Sequence, residues 1–252
     1  FVNVPELTQM TRQFMDVQRA NVMTEADGST TIIRPKRVDH AVVSQVGDVM
    51  TKLFDDLKRR AKDLKTQRPE DKKGGDNMLT ICTDGKKGSI DMRLIDPNAD
   101  EHPDSKANML VRNVLKIHKE RGGTTSQLIF SDVGVNPTEP GKNRNTGEMH
   151  SGGFHLYGDI INKLVAGGIP REKIADFSKM KDDERDEAMA KMKRGEMLIG
   201  IGSTERMGTG VNVQDKLSDM HHLDVPWKPA DIEQRDGRGH RQGNLNDPTK
   251  KA

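Results

Sequence analysis

One cysteine, Cys82, stands in 252 residues. A lone cysteine excludes an intramolecular disulfide and suits a reducing compartment. It reads as a small, half-buried side chain rather than a nucleophile. No run approaches the roughly 20 apolar residues of a membrane-spanning helix, so no membrane contact is expected. The start, "FVNVPELTQM", has neither a signal-peptide pattern nor an initiator methionine, and a piece of a longer polypeptide is expected. Charge of one sign is also missing. The net charge of +2 gives no global basic field, so attraction to nucleic acid has to be argued locally. Apolar residues make up 32% and the mean hydropathy is −0.79. The core must therefore come from a few concentrated segments.

Two parts with different patterning follow. In residues 1–104, "PELTQMTRQFMDVQRANVM" reads as a helix and "TTIIRPKRV" as a short extended run. From Val46, the positions Val46, Val49, Met50, Leu53, Phe54, Leu57, Ala61 and Leu64 keep helical spacing and predict an amphipathic helix. "KRRAKDLKTQRPEDKK", residues 58–73, holds eight Lys or Arg against three Asp or Glu, a local +5. It is either a solvated helix end or a phosphate-backbone contact through Lys58, Arg59 and Arg60. "KKGGDN" breaks the pattern, and "MLTICTDGKKGSIDMRLIDP" is expected to be irregular or short-strand structure.

Residues 105–252 alternate short apolar strands with helices. Ser105 caps a helix ending at Gly122-Gly123, and strand "QLIF" follows. The tract 134–153 is rich in Gly, Pro and Asn and is expected to be a mobile loop. Then come helix 155–166, strand "KIADF", helix 183–194, strand "MLIGIGS", strand "SDMHHLD" and helix 229–238. This alternation predicts an α/β fold, a parallel sheet flanked by helices. Ligands of such sheets sit at the carboxyl ends of the strands.

After "LIGIGS" comes "STERMGTGVNVQ", residues 203–214. Its hydroxyls and glycines suit a phosphate cradle, or an ordinary capped turn. After "MHHLD" comes "VPWKPADIEQRDGRGHRQGN". Gln234, Arg238 and Arg241 at i, i+4, i+7 share one helix face. Two guanidinium forks suit a polyphosphate. Gly237 and Gly239, lacking Cβ atoms, would let a phosphate or another domain approach.

These residues resemble a known family. "QRDGRGHRQGN" looks like motif VI of superfamily-two helicases and translocases, and "STERMGTGVNVQ" like motif V in its Swi/Snf-type form. "DVPWKPADIEQ" is similar to the Swi/Snf-type lead into motif VI, and "QLIFSD" to motif IV. "SKANMLVRNVLKIHKE" is similar to the helix opening the second RecA-like lobe. The resemblance spans about 105–244, and residues 1–104 look like an insertion between lobes. The longer run from Ser203 to Asn244 also resembles large phage and mobile-element polypeptides that join a DNA methylase to a helicase module. The resemblance implies a RecA-like lobe acting in the cytoplasm of a bacterial or phage-infected cell. It implies Arg241 as an arginine finger with Arg238 beside it on the phosphates, and Gln234, Gly210 and Asp236 facing the nucleotide. Ser203, Thr204, Gly208, Thr209 and Asn212 would touch the backbone of DNA, duplex and without sequence preference. ATP and Mg²⁺ would be held mainly by an N-terminal lobe of the same polypeptide.

A P-loop, G-x-x-x-x-G-K-[ST], is not found: Gly85-Lys86 and Gly141-Lys142 continue into Lys87 and Asn143. The chain alone is therefore not expected to hydrolyse ATP. Other readings stay open. "DVPW", 224–227, resembles the D-P-P-[YFW] tetrad of adenine methyltransferases, with Val225 breaking it. Trp227 would then stack on a base, although packing against the motif VI helix is the stronger expectation. His221, His222 and Asp224 make a weak metal set, because neighbouring strand residues face opposite ways. A noncatalytic binding scaffold is the remaining alternative.

Overall fold

The computed structural model describes residues 6, 9–10, 37–44, 47–66, 76–142, 147–207 and 213–240. The expected helix near residue 5 and the run "TTIIRPKRV" fall mostly outside them.

The amphipathic helix forms as α1, Asp48–Thr66. Leu53 and Leu57 are buried on it, with Met50, Ala61 and Leu64 packed alongside. The next segment departs from expectation. "MLTICTDGKKGSI" is a helix, α2, Met78–Ile90, capped by the Asn77 side chain, which accepts the Thr80 N–H. Its glycines read as breakers because each costs helix stability in isolation. Here they are contact points against α1. A Cβ on Gly88 would lie 2.3 Å from Leu53, and one on Gly85 would lie 3.2 Å from Leu57. Packing outweighs propensity.

Helix α3, Lys106–Glu120, begins with the Ser105 cap on the Asn108 N–H. It ends at Gly122 and Gly123, whose φ values of 62° and 66° favour glycine. Strand β1, Ser126–Phe130, follows. The 134–153 tract is not all loop. Short strands β2, Gly141–Lys142, and β3, Met149–His150, pair antiparallel. Next come α4, Leu156–Ala166; β4, Ile174–Asp176; α5, Asp182–Arg194; and β5, Ile199–Gly202. The chain goes on through α6, Thr204–Met207; β6, Leu217–His222; and α7, Pro229–Gly239.

β4, β5, β1 and β6 lie side by side in that order, all parallel. The alternation of side chains divides the core. Ile129, Ile199 and Ile201 join Val114, Tyr157 and Ile160 on one face. Leu128 and Phe130 join Phe177, Met189 and Met192 on the other. Glycines in "IGIG" fall on that second face, where a Cβ on Gly200 would meet the Phe177 ring at 2.7 Å. The first core cluster also takes in Ile90 and Leu94, so packing runs across residue 104 without a break. Polar bridges reinforce it, including Arg93 to Asp159 at 3.1 Å.

Candidate functional site

Three strands end in the same way. Two residues past the last residue of β1, β5 and β6 stand Asp132, Thr204 and Asp224. Equal offsets from neighbouring parallel strands bring the three to one place above the carboxyl edge. Arg235, from α7, fills the centre. Its guanidinium donates to the Thr204 hydroxyl at 2.8 Å, the Asp224 carbonyl at 2.9 Å, the Asp132 carboxylate at 2.7 Å and the Asp224 carboxylate at 3.1 Å. The same group lies 5.5 Å from the Phe130 ring centre, and Arg235 is only 1% exposed. A planar fork with five donors suits such a cluster, and a point-charge lysine does not.

The acids are satisfied from other sides as well. Thr204 gives both its N–H and its hydroxyl to Asp132. Burial alone would push the Asp132 carboxyl up; these bonds and the Arg235 charge outweigh it and hold it below the usual range. Asp224 accepts the Asp132 N–H and pairs with Lys86 of α2 at 2.8 Å. Lys86 thus ties the helical hairpin to the carboxyl edge.

The expected site residues are distributed unevenly. Gln234 is exposed, whereas Arg238 is buried, so the two do not present one open face. Asp236, expected toward a nucleotide, accepts from His222 at 3.0 Å and from Arg37 at 2.6 Å. The Ser203 hydroxyl accepts the Arg206 N–H, and the Thr204 hydroxyl is engaged as described. Gly239 leaves room for Met220 of β6, 2.9 Å from a built Cβ, rather than for a ligand; a Cβ at Gly237 would meet nothing within 4 Å. Gly208, Thr209, Gly210, Asn212 and Arg241 lie outside the described residues.

In the basic stretch, Lys58 and Arg59 are exposed. Arg60 corrects the expectation of three surface cations: it is 6% exposed and bonds Asp76 and Asp84. Its spacing of three and seven residues from Leu57 and Leu53 and four from Leu64 puts it on the face of α1 turned toward α2, where acids meet it. Trp227 is a second correction. It is 70% exposed and does not pack on α7; Pro226 is the residue that turns inward.

His221 and His222 do face opposite ways. His222 stacks on Phe130 at 5.7 Å and bonds Asp236. His221 bonds Gln127 at 2.8 Å, and Gln127 donates to the Val114 carbonyl. Burial pushes the His221 imidazole down to about 4 from an ordinary 6.5. Between those values the unfolded chain holds a proton that the folded chain rejects. This contribution to stability is complete above pH 6.5 and is lost as pH falls toward 4. The melting temperature is expected to drop over that window, and His221→Asn to flatten the drop. An equal slope in the variant would contradict it.

Arg235, Asp132, Asp224 as its partner, Lys86 and Arg37 were not singled out from sequence. A signal did exist for the acids: "QLIFSD" and "MHHLD" each end in Asp at one offset from a strand.

A parallel sheet with its edge loops clamped to a following helix defines a RecA-like α/β lobe. Residues 170–243 match the helicase conserved C-terminal domain. The C-terminal part of the Fun30 ATPase domain aligns over 84% of this chain and 83% of its own, with a TM-score of 0.53 and 16% identity. The Pyrococcus furiosus Hef helicase domain aligns over 77% of this chain and 33% of its own, with a TM-score of 0.36 and 14% identity. Thirty-five residues are 51% identical to the defense against restriction protein B of Escherichia phage P1, which is 14% of this chain and 2% of that protein. The segment 170–243 is thus similar to the C-terminal domain of helicases, and the likeness to the Fun30 structure is one of fold. Among the described residues no helix is long and apolar enough to cross a membrane.

Proposed function

We propose that this lobe works in an ATP-dependent DNA helicase or translocase of Swi/Snf type. Its role is to supply an arginine finger and DNA-backbone contacts to a nucleotide site completed by an N-terminal lobe. ATP and Mg²⁺ are held mainly by that other lobe. From this chain, Arg241 reaches the transferring phosphoryl group with Arg238 behind it, and Gln234 and Gly210 serve the nucleotide side, with Asp236 acting indirectly through its bonds to His222 and Arg37. Ser203, Thr204, Gly208, Thr209 and Asn212 follow the DNA backbone. The parent polypeptide is of the phage or mobile-element kind, with a possible linked methylase.

The observation that carries this reading is the Arg235 clamp. It joins the loop expected to touch DNA, through Thr204, to the helix expected to reach the nucleotide. A ligand change at one is then felt at the other. The methyltransferase reading is less well supported, because its Asp224 carboxylate already accepts from Asp132, Lys86 and Arg235 and has little left for a base amine.

Binding to duplex DNA tests the reading. The chain is expected to bind duplexes weakly, without sequence preference, and with affinity falling steeply as salt rises, because counterion release drives contact with phosphates. Lys58→Glu with Arg59→Glu should weaken binding about tenfold and flatten the salt dependence by roughly one unit of slope per residue. Arg60 is left intact, since its loss would strand Asp76 and Asp84. Unchanged affinity would make that stretch a merely solvated helix end, and no duplex binding at any salt would defeat the nucleic-acid reading.

A further inference from the structure

Helix α7 is held from two sides. Arg235 ties it to the strand ends from within. The next residue, Asp236, is 8% exposed and is held from outside. Its Oδ1 accepts from His222 at 3.0 Å and its Oδ2 from Arg37 at 2.6 Å. Burial holds the His222 imidazole below its ordinary value, so of these two partners Arg37 is the one that brings a full charge. The guanidinium is already oriented, because its Nε donates to Asp39 at 2.6 Å. The Arg37–Asp236 bond spans 199 residues and comes from segment 37–44, ahead of α1 in the chain. Val38, Val42 and Val43 of that segment are exposed, so packing does little to hold it in place.

The end of α7 is the part that needs an outside hold. Glycines such as Gly237 and Gly239 weaken a helix, and a Cβ at Gly237 would meet nothing within 4 Å. The last turn closes on Asp236 itself, whose carbonyl accepts the His240 N–H at 3.0 Å. Arg241 follows His240 directly in sequence. Fixing the carboxylate of the residue on which the final turn closes fixes the direction in which the chain leaves the helix. We propose that Arg37 is a positioning residue, which through Asp236 sets the last turn of α7 and so the place of the nucleotide-facing arginines. An exposed ion pair is worth little. This one differs because its acid is buried: without Arg37, that carboxylate keeps only an uncharged imidazole. The inference rests on the nucleotide reading of α7 given above and adds that a segment some 200 residues upstream holds the helix end in register.

Amide hydrogen exchange of the full chain reads the last turn directly. Arg37→Ala should speed exchange at residues 238–240 about threefold, the size expected for one partly exposed charged bond, and leave the amides of β1, β5 and α3 as they were. Arg37→Lys should restore most of the protection, since Asp236 takes a single bond and a charge from Arg37. In the two-lobed ATPase proposed above, Arg37→Ala should lower kcat about tenfold with KM little changed, because a small displacement of a reacting group costs rate. Combined with Arg241→Ala it should cost nothing further, since no finger is left to misplace. Unchanged exchange at 238–240 overturns the inference. So does exchange that rises equally throughout the chain, which would make Arg37 a general support. Normal kcat in Arg37→Ala beside a low kcat in Arg241→Ala overturns it and leaves the finger standing, and so do additive losses in the double variant. Normal kcat in both single variants removes the finger and the positioning role together.

Discussion

Arg241→Ala, in the two-lobed ATPase proposed above, is expected to lower kcat by a hundredfold or more while moving KM little. The proposed finger meets charge that builds on the phosphoryl oxygens only in the transition state. Its loss therefore falls on kcat rather than on ground-state binding. A hundredfold corresponds to ~3 kcal/mol, a modest share of the ~10³–10⁵ that arginine fingers contribute elsewhere. Arg241→Lys should not restore the rate, because an ammonium cannot give two parallel bonds to one phosphate. DNA affinity without nucleotide and the melting temperature should both stay near those of the unaltered protein. Near-normal kcat in a folded, DNA-binding variant would remove Arg241 from the chemistry.

Arg235→Ala should show the opposite pattern. Arg235 is 1% exposed and neutralises two acids while donating to a hydroxyl and a carbonyl. Breaking a buried ion pair from one side costs about 3–5 kcal/mol, since the remaining charge stays buried without its partner. The urea midpoint should fall accordingly, and the loops after β1, β5 and β6 should loosen together. Arg235→Lys should recover only part, as one ammonium cannot span four acceptors. Arg235→Met combined with Asp132→Asn should be less damaging than the sum of the two changes, because the acid no longer needs neutralising. Additive losses would mean that Arg235 acts by volume alone. The two arginines thus separate cleanly: one variant folds and fails to turn over, and the other fails to fold well.

Much of the lobe was legible because its strands are short and sharply punctuated. "QLIF" and "LIGIG" read as buried strands from their apolar runs, "KIADF" and the partly buried "SDMHH" from their place between helices and turns, and Ser105 and Gly122-Gly123 marked both ends of α3. The segment 78–90 was misread because propensity penalises glycine locally, whereas the gain at Gly88 comes from Leu53, 35 residues away. Spacing put Gln234 and Arg238 on one helix face but could not say which way that helix would roll. Arg235 escaped notice for the same reason: its partners are 11, 31 and 103 residues distant, and nothing in a local window reveals them. Trp227 went the other way, since a lone tryptophan between prolines reads as core until its exposure is measured.

Ile90 and Leu94 sit in the same apolar cluster as Leu110 and Leu156, although the sequence changes character only past them. A gene trimmed to begin at Ser105 would therefore encode an open wound in the core, not a tidy module. Any recombination that shuffles this lobe between polypeptides has to carry the last turn of α2 and the Met92–Leu94 turn with it, along with Lys86. The packed unit starts inside what looks, on paper, like the insertion.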